Sequence, residues 1–240
     1  MSDFAGKNVL VLGGSRGIGA AIVRRFASEG AKTAFTYLGS AKAAKAAEAL
    51  AAETGAEAIP ADSADRAALV RTVADRGALD VIVISAGALV MGDPLTIDAD
   101  AVDRLIDVNV RAPYHAAVEA ARRMNPDGRI IVIGSTNGDR IPFAGGSAYA
   151  LSKSAMQGMV RGLARDFGPR GITVNAIQPG PTDSDMNPAD GPMAETMHSF
   201  MAIKRHIRTS EVAAYVAFIA GPDGAMITGS FQTIDGGFAA

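Results

Sequence analysis

Asn8-Val9-Leu10-Val11-Leu12-Gly13-Gly14-Ser15-Arg16-Gly17-Ile18-Gly19, near the start of the 240-residue chain, reads as a short apolar strand running into a glycine cluster that opens a helix. Glycines at such a junction permit a tight turn and let the backbone approach an anion, which the free amides and dipole of the following helix then favour. Strand before, helix after and a place in the first βαβ unit point to a dinucleotide pyrophosphate loop, with a ligand-free glycine turn as the alternative. The candidate contacts are Gly13, Ser15, Arg16, Gly17, Ile18 and Gly19.

Outward from this loop, apolar strands are expected at 8–12, 33–37, 56–61, 80–84, 129–133, 173–178 and 231–234. Helices are expected at 18–29, 41–53, 64–75, 98–124, 147–167 and 210–220. Near-continuous apolar strands alternating with helices predict one α/β domain over residues 1–240. It is doubly wound and Rossmann-like, with a seven-stranded parallel sheet covered by helices on both faces. The proline-rich segment 181–208 breaks the alternation after the sixth strand, where ligands sit in such sheets, and reads as a lid; an ordinary surface loop with one amphipathic helix is the alternative.

Composition narrows the function. Hydrophobic residues are 48% and charged residues 20% of the chain, which suits a folded core. With 23 basic against 25 acidic residues there is no global field for nucleic acid or an anionic membrane. No cysteine is present and there are only three histidines, so disulfide, thiolate and metal chemistry are not expected. The first residues lack the pattern of a signal peptide, and the longest apolar run is well short of the roughly 20 residues that span a bilayer, so a cytoplasmic location is expected.

An NAD-binding unit usually places an acid about 20 residues past the glycine loop to hold the ribose 2′-hydroxyl. Here the stretch is Phe35-Thr36-Tyr37-Leu38-Gly39-Ser40, without a carboxylate. Together with Arg16, Tyr37, Ser40 and Lys42 this favours NADP(H) over NAD(H), with a solvated surface charge as the alternative reading of Arg16. Further on, Tyr149 and Lys153 stand at i and i+4 on one helix face, where the ammonium is expected to lower the phenol pKa toward the working pH of a general acid/base. Ser135 ends the fifth strand beside the same crevice, and Asn109 stands inside the long helix before it, where its side chain or the backbone beside it must be used.

Asn109, Ser135, Tyr149 and Lys153, with the glycine loop in the same order, resemble the catalytic tetrad of the short-chain dehydrogenase/reductase family, and the resemblance covers essentially the whole chain. It implies hydride transfer between a nicotinamide and a ketone, aldehyde or secondary alcohol, with Tyr149 exchanging the proton. Lys153 would hold the nicotinamide ribose, Ser135 would orient the substrate oxygen, and Asn109 would hold a water linking Lys153 to solvent. It further implies cofactor contacts at Asp62 and Ser63, at Ser85, Ala86 and Gly87, and at Pro179, Gly180, Thr182 and Ser184, with a closing Asp235-Gly236-Gly237. A homotetramer is implied too, built partly across the helices at 98–124 and 147–167.

Three positions depart from the family pattern. Ile84-Ser85-Ala86-Gly87 replaces the usual Asn-Asn-Ala-Gly, Leu12 replaces a threonine whose hydroxyl would tie the glycine loop to the neighbouring strand, and Tyr149 follows Ser135 by 14 positions (149 − 135), one more than usual. A looser cofactor loop is therefore expected. Arg111-Ala112-Pro113-Tyr114-His115, Asn137-Gly138-Asp139-Arg140, Gln178-Pro179-Gly180-Pro181 and Met201-Ala202-Ile203-Lys204-Arg205-His206 resemble a bacterial branch of the family described as binding cyclic-di-GMP in biofilm dispersal. That resemblance implies a second reading, dinucleotide sequestration, with Arg140, Lys204, Arg205, His206 and Arg208 as phosphate contacts; a solvated face or an oligomer interface would use the same residues differently.

Overall fold

The structure, a computed structural model, describes residues 3–240. Its strands are β1 (Asn8–Leu12), β2 (Lys32–Tyr37), β3 (Glu57–Pro60), β4 (Val81–Ile84), β5 (Arg129–Ile133), β6 (Thr173–Pro179) and β7 (Phe231–Ile234). They form one sheet in the order β3-β2-β1-β4-β5-β6-β7, parallel at every pairing. The helices are α1 (Gly17–Ser28), α2 (Ala41–Thr54), α3 (Arg66–Ala74), α4 (Ala99–Ile106), α5 (Ala112–Arg123), α6 (Ser147–Phe167), α7 (Ala194–Phe200) and α8 (Thr209–Ala220).

Strand alternation decides which helices cover which face. Val9, Val11, Phe35, Val81 and Val83 point to one side and pack with α1, α2 and α8. Leu10, Leu12, Ala34, Ile82 and Ile84 point to the other and pack with α3, α5 and α6. Both faces are thus buried, as continuous apolar strands require. From β1 the chain winds outward to β3 and then crosses back to β4 on the opposite side of β1, which opens a crevice at the carboxyl ends of β1 and β4.

The strands lie where expected, with ends shifted by a residue or two. One helix does not run as expected: the span 98–124 is α4, a π-helical turn at Asp107–Arg111, and α5. Pro113 explains the break, because it has no N–H for the carbonyl four residues earlier, which belongs to Asn109, and its ring crowds that carbonyl. Among the described residues no helix is long and apolar enough to cross a membrane.

Candidate active site at the carboxyl edge of the sheet

The glycine loop is shaped by close approach. Gly13 and Gly17 have φ of 76° and 53°. A Cβ on Gly13 would stand 2.6 Å from the Ala86 Cα, one on Gly14 2.5 Å from the Phe35 Cβ, and one on Gly19 2.2 Å from the Gly13 carbonyl oxygen. The looser loop expected from Leu12 is corrected by Thr36: Gly13 N–H donates to its Oγ1 at 2.9 Å and Gly14 N–H to its carbonyl at 2.9 Å. The hydroxyl absent from β1 is supplied by β2. The signal lay in the register, which pairs Val11 with Phe35 and so sets Thr36 beside the turn. Thr36→Val keeps the side-chain shape but leaves the Gly13 N–H unpaired, at about 1–3 kcal/mol. The expected result is an NADPH dissociation constant raised by tenfold or more at an unchanged circular dichroism spectrum.

Arg16 precedes α1 without capping it by a side-chain bond, so Ser15, Gly17, Ile18 and Gly19 surround helix-start N–H groups that an anionic phosphate would satisfy. Arg16 and Lys42 are exposed, and no carboxylate pairs with either among the described residues. Tyr37 is half-buried at the end of β2. Ser40 is partly committed, since its Oγ caps α2 by accepting the Ala43 N–H at 3.3 Å. Its O–H remains free to donate, at the start of a second helix with a cation beside it. This donor set fits a dinucleotide carrying a 2′-phosphate.

Asp62, expected near the adenine, accepts the Ala64 N–H at 2.9 Å and pairs with Arg104 of α4 at 2.9 Å. Burial pushes its carboxyl up, and those two partners more than offset it, leaving it below the usual carboxylate range. Ser63 is half-buried beside it. Ser85 N–H donates to the Leu12 carbonyl at 2.9 Å, and Ala86 lies against Gly13. A Cβ on Gly87 would be 3.6 Å from Asn109 Oδ1 and 3.7 Å from Lys153 Nζ. The turn after β4 therefore joins the glycine loop to Asn109 and Lys153.

Asn109 is fully buried, and its amide is occupied. Its Oδ1 accepts the Ala88 N–H at 2.8 Å, while its Nδ2 donates to the Ala88 carbonyl at 2.9 Å and to Ser152 Oγ at 3.0 Å. Ser152 in turn donates to the Tyr149 carbonyl at 2.8 Å. The amide thus braces the turn after β4 against α6. A water on Asn109 would have to use its main chain, which Pro113 leaves without the usual N–H partner. Ser152, passed over in the sequence, is the link that carries this brace to Tyr149.

Ser135 Oγ accepts the Asn137 N–H at 3.1 Å, which leaves its O–H to reach the Tyr149 phenol. Lys153 Nζ stands 5.6 Å from the Tyr149 ring centroid and donates to the Ile133 carbonyl at 3.1 Å. The electrostatics correct the sequence expectation. Burial raises the Tyr149 pKa and the Ser135 bond only partly offsets it, so the phenol stays protonated at neutral pH. Burial also pulls Lys153 down, to about 8.

The far wall is the segment after β6. Thr136 Oγ1 donates to the Pro179 carbonyl at 3.4 Å and Gly180 N–H to Ile234 at 3.0 Å; a Cβ on Gly180 would stand 2.7 Å from the Asp235 Cβ. Thr182 is bridged to Ile207, and Ser184 lies across from Gly17, whose Cβ would be 3.5 Å from the Ser184 Cβ. The segment after β6 thus comes against the glycine loop at Ser184. The five basic or imidazole residues read as phosphate contacts are engaged within the chain. Arg140 donates to the Phe238 and Ala240 carbonyls at 2.9 and 3.0 Å, and Lys204 to Ser199 at 3.1 Å. Arg205 and Arg208 pair with Glu211, and His206 is bonded to His198.

A glycine loop at the switch point of a parallel sheet, together with Ser135, Tyr149 and Lys153 on its edge, defines a nicotinamide-dependent oxidoreductase fold. The chain belongs to the short-chain dehydrogenase/reductase family: a family model described as enoyl-(acyl carrier protein) reductase matches residues 13–239. It is 60% identical, over 100% of both chains, to the cyclic-di-GMP-binding biofilm dispersal mediator protein of Escherichia coli K12. The solved structure of BdcA in complex with NADPH is 60% identical, with a TM-score of 0.96 over 99% of this chain and 96% of that one. A short-chain dehydrogenase from Burkholderia cenocepacia J2315 in complex with NADP is 47% identical, with a TM-score of 0.94 over 99% of this chain and 100% of that one.

Proposed function

We propose that this chain is an NADP(H)-dependent oxidoreductase that reduces ketones or aldehydes to secondary or primary alcohols. The observation that carries the reading is the Ser135, Tyr149 and Lys153 group at the mouth of the glycine loop, with Arg16 and Lys42 unpaired among the described residues and no acid at the end of β2. The solved relatives that hold NADPH and NADP support the same cofactor. When bound, the cofactor supplies the hydride.

The chain's own residues handle the oxygen and its proton. Ser135 donates a hydrogen bond to the substrate oxygen and Tyr149, neutral in its buried setting, gives it the proton. Lys153 then faces the phenolate left behind, and its charge steadies it.

A second reading, cyclic-di-GMP binding, is favoured by the name of the E. coli relative. Against it stand the internal partners of Arg140, Lys204, Arg205 and Arg208. One experiment separates the two. Purified protein is followed for NADPH and NADH consumption on a panel of ketones and aldehydes, with and without cyclic-di-GMP. Turnover at least tenfold better with NADPH, unaffected by cyclic-di-GMP, supports the reductase. No turnover, with cyclic-di-GMP displacing NADPH, replaces it with the binding role.

A homotetramer accompanies the reductase reading. Tyr114 and Leu151 are half or more exposed, and Val110, Tyr114, His115, Met156 and Met159 line an apolar groove of about 230 Å³ where α5 meets α6. Sedimentation as a monomer at micromolar concentration removes this proposal.

A further inference from the structure

The lid is fastened by a contact that the reaction does not use. His198 on α7 and His206, in the segment leading to α8, face each other with Nε2 and Nδ1 2.7 Å apart and their rings edge to face at 4.8 Å. His206 is 5% exposed, and its Nε2 is buried without a partner. Next to it, Ile207 N–H donates to the Pro181 carbonyl and Asp183 N–H to the Ile207 carbonyl, both at 2.9 Å. His206 therefore adjoins the short bridge that fixes Pro181 to Ser184. We infer that His198 and His206 are positioning residues: their hydrogen bond pins α7 to the bridge at Thr182, and a proton taken up by the buried His206 ring releases the lid.

An imidazole pair can share a hydrogen bond only while one of the facing nitrogens is a bare acceptor. A charged His206 carries N–H on both ring nitrogens, so it can only donate to His198 through Nδ1. The neutral ring avoids a buried Nε2–H by donating from Nδ1 and leaving Nε2 bare; the charged ring must carry that N–H with nothing to receive it, an unfavourable state while the lid is packed. The groups facing the pair come from three other places. Asp183, whose carboxylate accepts the Ala189 N–H at 3.0 Å, attracts a proton toward His206. Arg205 donates to the His206 carbonyl at 2.9 Å and is neutralised by Glu211 of α8, which also holds Arg208. Lys204 bonds the Ser199 carbonyl on α7 at 3.1 Å. Burial and then the neighbouring His198 outweigh Asp183, so the His206 pKa lies below its ordinary 6.5. The packed lid thus binds fewer protons than the released one, and it is held above that pH and loosened below it.

The functional consequence rests on the reading of Pro179 to Ser184 as a cofactor segment, but the tether itself does not. Amide hydrogen exchange over residues 194–207, corrected for intrinsic rates, is measured on the full chain at about pH 7.5 and about pH 5.5, alongside NADPH titrations. One unit below the ordinary histidine pKa, release is favoured by about tenfold. Protection in the wild type should fall by that factor. His206→Gln, which removes the buried ring and whose amide can donate to or accept from His198, should change by less than about twofold. His198→Ala should be poorly protected at both values. A wild type insensitive to pH, or a His206→Gln chain as sensitive as the wild type, overturns the tether. The wild-type and glutamine contrast without NADPH binding leaves the tether standing and removes the cofactor reading; NADPH affinity that falls with the protection supports both.

Discussion

Tyr149→Phe is expected to lower carbonyl-reduction kcat by about 10²–10⁴-fold, the span typical of a removed general acid, while the NADPH dissociation constant moves by less than about twofold. The ring keeps its place on α6, since the main chain of Tyr149 is held through Ser152 and Asn109 rather than through the phenol. What is lost is the one protonated oxygen beside Ser135. Ser135 retains its Asn137 bond and still offers a hydrogen bond to substrate, so some polarisation of the carbonyl persists. Because burial holds the wild-type phenol in its neutral form, the loss should be the same at pH 6 and pH 8 to within about twofold. Single-turnover absorbance at the NADPH band, with binding measured separately, checks both halves. Equal turnover in the variant removes Tyr149 as the donor and moves attention to Ser135.

The sheet was legible because its signal is local and repeated: β1, β4 and β5 are apolar on both faces, and only a parallel arrangement with two helical layers buries both. The positions of Gly13, Gly14 and Gly19 could be read for the same reason, since strand and helix meet there with no room for a Cβ. What escaped the sequence depends on neighbours far apart in the chain. Thr36 reaches the loop only through the β1 and β2 register, and Ser152 matters because Asn109 comes to it from a π-helical turn. Pro113 was visible but was not connected to the carbonyl of Asn109. Charge effects were the least legible. A cation four residues along a helix argues for a lowered phenol pKa, yet the burial that brings Lys153 near Tyr149 raises one group and lowers the other. The basic residues near the lid likewise looked available until Glu211 and the carboxyl-terminal carbonyls were placed beside them.

Lys153→Met should give a protein that is inactive and more stable. Lys153 is 6% exposed, with the Ile133 carbonyl at 3.1 Å as its hydrogen-bond acceptor and no carboxylate paired with it. Its pKa of about 8 against an ordinary 10.5 means that folding at pH 7 buries a charge that prefers water, a penalty of about 3 kcal/mol. The sign follows from proton counting. Between about 8 and 10.5 the unfolded chain binds more protons than the folded one, so wild-type stability rises with pH across that window and the penalty is fully present below it. Methionine removes the charge with a side chain of similar length, at the expense of an unpaired Ile133 carbonyl worth about 1 kcal/mol. The net expectation is a gain of about 2 kcal/mol at pH 7 that shrinks to nothing or reverses near pH 10.5, read from urea midpoints of both proteins. Turnover should fall by at least about 10²-fold, since the phenolate left by proton donation then faces a thioether instead of a cation. A variant less stable than the wild type at pH 7 would mean that Lys153 is better solvated than its burial implies. A variant both more stable and inactive identifies the lysine as a charge retained for chemistry against the preference of the fold.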